Sequence, residues 1–121
     1  MSHFKVASEV TIKRAYEPPS PHDGTRILVD RLWPHGVKKA GAGISQWMKE
    51  IAPSNELRKW FAHDPARWEE FRRRYRAELT GKRELVARLR DLSREGPLTL
   101  VYSAHDEVHN QAVVLRELLL H

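Results

Sequence analysis

Two short stretches of the chain concentrate side chains able to do chemistry. Asp30, Arg31, Trp33 and His35 follow one apolar run, and Ser103, His105, Asp106, Glu107, His109 and Asn110 follow another. The runs themselves, residues 26–30 and 98–102, are short, apolar and partly β-branched, which reads as two buried strands. In an open α/β sheet, ligands bind beyond the carboxyl ends of the strands. If these two strands are neighbours, both sets of groups converge on one cleft.

Asp30 closes an apolar strand, where a carboxylate is costly to bury without a partner. It can act as a general base or orient a histidine, with His109 as its acid–base counterpart. The competing role is structural: an ion pair with Arg31, or capping of nearby amides. Arg31, Trp33 and His35 bring a guanidinium, an indole and an imidazole from one turn, a set suited to holding a phosphate or carboxylate beside a ring. Here too a bland role competes, with Trp33 plugging the edge of the core and Arg31 in an ion pair. His105, Asp106 and Asn110 add ligand-binding candidates where a helix reads as beginning, with Asp106 as its N-cap.

His105 and His109 are four residues apart, but Glu107 stands in the wrong place for an HExxH zinc motif and no third ligand is identified. No metal site is assigned. The chain has no G-x-x-x-x-G-K-[ST], no G-x-G-x-x-G and no G-x-S-x-G around Ser103. No cofactor is therefore implied. His63 reads as closing an interhelical turn.

The elements that must position these groups follow from periodicity. Residues 9–14 alternate as a half-buried strand whose pairing direction is open. Ile44, Trp47, Met48 and Ile51 form one stripe of a short helix ending before Pro53. Ser54 caps a second helix that turns Leu57, Trp60 and Phe61 inward. Asp64-Pro65 starts a longer helix with Trp68, Phe71, Tyr75 and Leu79 on its inner face. Residues 84–93 form another, with Leu85, Val86, Leu89 and Leu92 inside. The last helix, starting at Asp106, carries Val108, Ala112, Leu115 and Leu119. Together these predict a single α/β domain over residues 1–121, with about three largely parallel strands packed by five to six helices.

Composition excludes several classes of function. With no cysteine among 121 residues, disulfides, thiolate metal sites and cysteine nucleophiles are ruled out. No apolar run approaches a membrane span or a signal peptide, so a cytoplasmic protein without membrane contact is expected. The net charge of +5 comes from the middle of the chain. However, Arg67, Arg72, Arg73, Arg74 and Arg76 are interleaved with Glu69, Glu70 and Glu78. Glu69→Arg73 and Glu70→Arg74 have the favourable i, i+4 order. That pattern speaks against nucleic acid as a partner. A homo-oligomer is left open.

Arg26-Ile-Leu-Val-Asp-Arg-Leu-Trp-Pro-His-Gly-Val37 resembles the opening signature of the YeaO-like family of domains of unknown function, number 488 in that series. Trp47-Met-Lys-Glu-Ile-Ala-Pro-Ser54, Leu57-Arg-Lys-Trp-Phe-Ala-His-Asp-Pro65 and Trp68-Glu-Glu-Phe-Arg-Arg-Arg-Tyr75 continue it. Thr99-Leu-Val-Tyr-Ser-Ala-His-Asp-Glu-Val-His-Asn110 closes it. The resemblance implies a cytoplasmic α/β domain and carries over no reaction. The family pattern has arginine in place of His35, lysine in place of His105 and asparagine in place of Gln111. If those positions hold an anion, binding weakens above pH ~6.5, where histidine loses its charge. A related branch carries cysteines near the last strand and helix, and that thiol chemistry does not transfer.

The expected function is binding of a small phosphate- or nucleotide-like anion at the strand ends. Arg31 and His35 hold the anion, Trp33 shapes the pocket, and Asp30 with His109 supplies any acid–base chemistry. The alternative is a non-catalytic interaction module whose basic helices bind a protein or nucleic acid.

Overall fold

The computed structural model describes residues 9–120. Strands β1 (Val10–Arg14), β2 (Thr25–Leu28), β3 (Gln46–Trp47) and β4 (Leu98–Tyr102) form one sheet in the order β1-β4-β2-β3. Every pairing is parallel, including that of β1, whose direction the sequence left open. β4 lies inside the sheet with all five residues buried, as a continuous apolar run in a parallel sheet requires. β2 and β4 are neighbours, so their carboxyl ends open on the same side.

The helices are α1 (Asn55–Phe61), α2 (Trp68–Leu79), α3 (Arg83–Glu95) and α4 (Gln111–Leu119), with a short 3₁₀ turn between α1 and α2. Among the described residues there are thus four strands and four helices, in place of about three strands and five to six helices. Two segments depart from the expectation, and the first of them accounts for the changed counts. The stripe at 44–51 is not a helix: Gln46–Trp47 is a strand and Lys49–Ile51 a single 3₁₀ turn. Here the amide of Ser45 donates to the carbonyl of Arg26 at 2.8 Å, and that of Met48 to the carbonyl of Leu28 at 2.9 Å. The open edge of β2 supplies these partners at once, whereas one isolated helical turn must first meet its nucleation cost. Met48 and Ile51 are buried all the same.

The second segment is the start of the last helix, which begins at Gln111 with Asn110 as its N-cap, not at Asp106. Val108, expected on the inner stripe, is 64% exposed, while Ala112, Leu115 and Leu119 are buried. The remaining helix signals hold. Ser54 accepts from the amide of Leu57 and caps α1, and Asp64 caps the turn leading into α2. Phe71, Tyr75 and Leu79 of α2 are buried, with Trp68 half-buried beside them.

The arginines of α2 are engaged by carboxylates. Arg72 pairs with Glu69 and with Glu117 of α4, and Arg76 with Glu117. Arg73 and Arg74 share Glu70, whose carboxyl they hold at about 2. Glu69 therefore serves Arg72 in place of the expected Arg73. No described helix is long and apolar enough to cross a membrane.

Candidate functional site

A cavity of about 150 Å³ opens at the carboxyl ends of β2 and β4. The chain leaving β2 contributes Asp30 and Arg31, and the chain leaving β4 contributes Ser103. His109, Asn110 and Gln111 enter from the start of α4. The facing wall comes from the helix layer, as Arg58 and Phe61 of α1 and Phe71 of α2. His63, at the turn between those helices, stands on the rim.

Asp30 is buried, at 9% exposure. The side-chain amide of Gln111 donates to its Oδ1, while Oδ2 has no hydrogen-bond partner among the described residues. Burial pushes the carboxyl above its ordinary range, opposed by Ser103, Gln111 and the charge of Arg58. The ion pair with Arg31 offered for Asp30 does not form. Arg31 turns away from it, donating through Nε to the carbonyl of Pro53 (3.2 Å) and through Nη2 to that of Ala52 (3.0 Å). Its remaining ion pair is with exposed Glu50. Arg31 lines the cavity, but its fork fastens the β2 exit to the segment before α1.

Asp106 does not cap the helix; it positions His109. One carboxylate oxygen accepts the amides of Val108 and His109, both at 2.9 Å. The other lies 2.8 Å from Nδ1 of His109. The histidine and the Val108 amide hold Asp106 below the usual carboxylate range. The ring of His109 also packs T-shaped with Trp68, at 5.2 Å and 71°. With Nδ1 engaged, Nε2 is the nitrogen left for a ligand. Replacing Asp106 by alanine removes the acceptor of two amides and the partner of the imidazole. A loss of about 1–2 kcal/mol in urea-unfolding free energy is expected.

Asn110 lines the cavity, yet its amide is spent on α4: Oδ1 accepts from Val113 and Nδ2 donates to the Asp106 carbonyl. The other predicted site residues lie elsewhere. Trp33 donates to the carbonyl of Val37 at 2.6 Å and packs edge-on against Trp47 at 5.6 Å. It lines a separate small crevice with Ala15, Arg26, Leu28 and Val37. His35 is exposed, with its carbonyl accepting from Tyr16, and His105 is exposed too. The cause is the turn after Pro34, where the amide of Val37 closes on the Pro34 carbonyl and Gly36 adopts φ 81. That turn carries residues 33–37 away from the strand end. Among the described residues, no three His, Asp or Glu side chains gather as metal ligands.

Sequence reasoning passed over Arg58 and used Gln111 only as a departure from a family pattern. A signal for Arg58 existed: it lies three residues before Phe61 on a capped helix, so the two share a face. The rim carries backbone strain as well. Ala62 and His63, neither a glycine, occupy the left-handed region at φ 48 and 56, a conformation that persists only where its surroundings enforce it.

Fold and site together define a small parallel α/β domain with a cavity at the strand ends, framed by an Asp–His pair and a rim arginine. The chain belongs to the family described as the inactive DUF488-N3 subclade, which it matches over residues 9–121. It is 46% identical over 110 residues to uncharacterized protein YeaO of Escherichia coli K12, covering 91% of this chain and 96% of that one. It is 42% identical over 112 residues to uncharacterized protein Rv3073c of Mycobacterium tuberculosis H37Rv, covering 93% and 94%. No solved structure matches.

Proposed function

We propose that the cavity at the ends of β2 and β4 binds a small anionic ligand, with Arg58 as its principal charge partner. The observation that carries this reading is the state of Arg58. It lines the cavity from α1, is itself exposed, and gives one hydrogen bond to the protein, to Asn55 at 3.1 Å. The rest of its guanidinium is available to a carboxylate or phosphate, which it matches in geometry. Arg31 adds its positive charge beside the same space, its hydrogen bonds being taken by Pro53 and Ala52. His35, expected to share this work, is replaced in it by Arg58.

The size of the cavity narrows the ligand. Sites for drug-sized molecules run to roughly 300–1,000 Å³, so a whole nucleotide is not enclosed here. Asp30 and His109 remain the acid–base candidates. The description of the family as inactive favours binding over turnover. The rival reading, a docking module built on basic helices, has less support because the arginines of α2 are held by Glu69, Glu70 and Glu117.

Calorimetric titration with inorganic phosphate tests the reading on the parent and on Arg58→Gln. A charged hydrogen bond contributes ~1.5–3 kcal/mol, so the variant should bind about tenfold or more weakly. Equal affinity in the two proteins would remove Arg58 from the site and the anion reading with it.

A further inference from the structure

We propose that the ligand of this cavity is a single six-membered ring bearing an anionic group, its ring against Phe61 and Phe71 and its anion on Arg58. This rests on the anion-binding reading and specifies the rest of the molecule. Three observations carry it.

The volume comes first. About 150 Å³ is the size of an engineered protein cavity that accommodates benzene; it exceeds what a bare phosphate or acetate fills. Shape is the second. The helix-layer wall is aromatic: Phe61 and Phe71 stack at 4.3 Å and 24°, and Trp68 continues the stack at 5.7 Å from Phe71. Leu32 lines the mouth while 64% exposed. A bare oxyanion gains nothing from such surfaces, whereas a ring gains both burial and stacking. Arg58 and Phe61 are three residues apart on α1, so a ring lying on Phe61 presents a directly attached carboxylate to the guanidinium.

The third observation is the opposite, polar wall. Asp30 is nine-tenths buried there, with one carboxylate oxygen taken by Gln111 and the other without a partner. Buried polar groups are almost always hydrogen-bonded. An acceptor left over in a cavity wall selects a ligand with an N–H or O–H on the edge of its ring away from the anion. The site then reads three features of one small molecule: a flat apolar body, an anionic end at the rim, and a donor facing the floor.

The test uses calorimetry on the full chain with three probes of crossed chemistry: benzoate, which has ring and charge; acetate, which has charge alone; and benzamide, which has a ring alone. Benzoate should bind most tightly, with acetate and benzamide each about tenfold or more weaker. If acetate equals benzoate, the ring inference is overturned and the anion reading stands. If benzamide equals benzoate, the anion reading is overturned. If none binds, both fall. Phe61→Leu keeps an apolar side chain but removes the ring face, so benzoate should weaken severalfold while acetate is unchanged. Should that variant fail to fold, the three probes on the parent protein still decide the matter.

Discussion

The Gly24→Ala variant should lose about 3 kcal/mol or more of unfolding free energy, read as a lower urea midpoint with an unchanged slope. Gly24 sits between a 3₁₀ turn and β2 with φ 65 and ψ -134, backbone that a residue with a side chain rarely adopts. A methyl group there would lie 2.2 Å from the carbonyl oxygen of Pro97. That carbonyl has little room to retreat, because it accepts the amide of Thr25 at 3.1 Å where β2 meets β4. On the other side of the glycine, buried Asp23 receives Lys13 of β1 and Arg26 of β2, and its carbonyl takes the hydroxyl of Thr99 in β4. Three strands are thus tied at this corner, and displacing Gly24 disturbs all of them. For a domain whose whole stability is ~5–15 kcal/mol, that is a large fraction. Gly41→Ala is the control: φ is 87, but no atom lies within 4 Å of the added carbon. It should lose only the backbone term, ~1 kcal/mol. Equal losses would refute the role given to the Pro97 contact.

The two central strands were legible in the sequence because a strand buried on both faces has no alternative pattern to imitate. Their adjacency was not, since it depends on pairing across some seventy residues that no local signal encodes. β3 was invisible for a different reason. Two residues carry no periodicity, and the spacing of Ile44, Trp47, Met48 and Ile51 fits a helix as well as an edge strand followed by a turn. Asp106 was misplaced because an N-cap and a local turn use the same chemistry, a short carboxylate accepting amides two and three residues on. Asn110 offers that chemistry four residues later, directly before the apolar stripe of α4, and takes the cap. The freed carboxylate then holds His109.

The cavity itself was only half legible. Strand-end groups announce themselves, because Asp30 and His109 are costly to place without reason. The wall supplied by the helices does not. Phe61 and Phe71 occupy an apolar stripe whether they fill a core or face a ligand, and Arg58 looks like any arginine on a solvated helix. Only the packing of α1 and α2 over the strand ends separates those roles. The position of Trp33 and His35 away from the cavity has another cause. Their loop follows the right strand, but the turn at Gly36 carries it away from the cavity.

Asp30→Asn should raise the stability of the protein at neutral pH, by several degrees in Tm, without loss of benzoate affinity. The side chain keeps an oxygen to accept from Gln111, while the charge that burial disfavours is gone. The pH dependence fixes the sign. Asp30 titrates above its ordinary value of 3.8 in the folded state, so between 3.8 and that raised value the folded protein binds more protons than the unfolded chain. This group's contribution therefore falls as pH rises through the window and stays unfavourable above it. Asp23 behaves in the opposite sense. Burial pushes it up, but the Ser20 amide, Lys13 and Arg26 prevail and hold it below the ordinary range, so its contribution is lost as pH falls through its folded value. The difference between parent and Asp30→Asn isolates the first term. It should be small in acid, grow through the window and level off above it, as measured by urea unfolding across pH. A variant less stable than the parent at neutral pH would mean that the Asp30 charge holds the fold together, and the carboxylate would then be structural. A gain in stability instead marks Asp30 as a group retained at a cost to the fold, which is the behaviour expected of a residue kept for what enters the cavity.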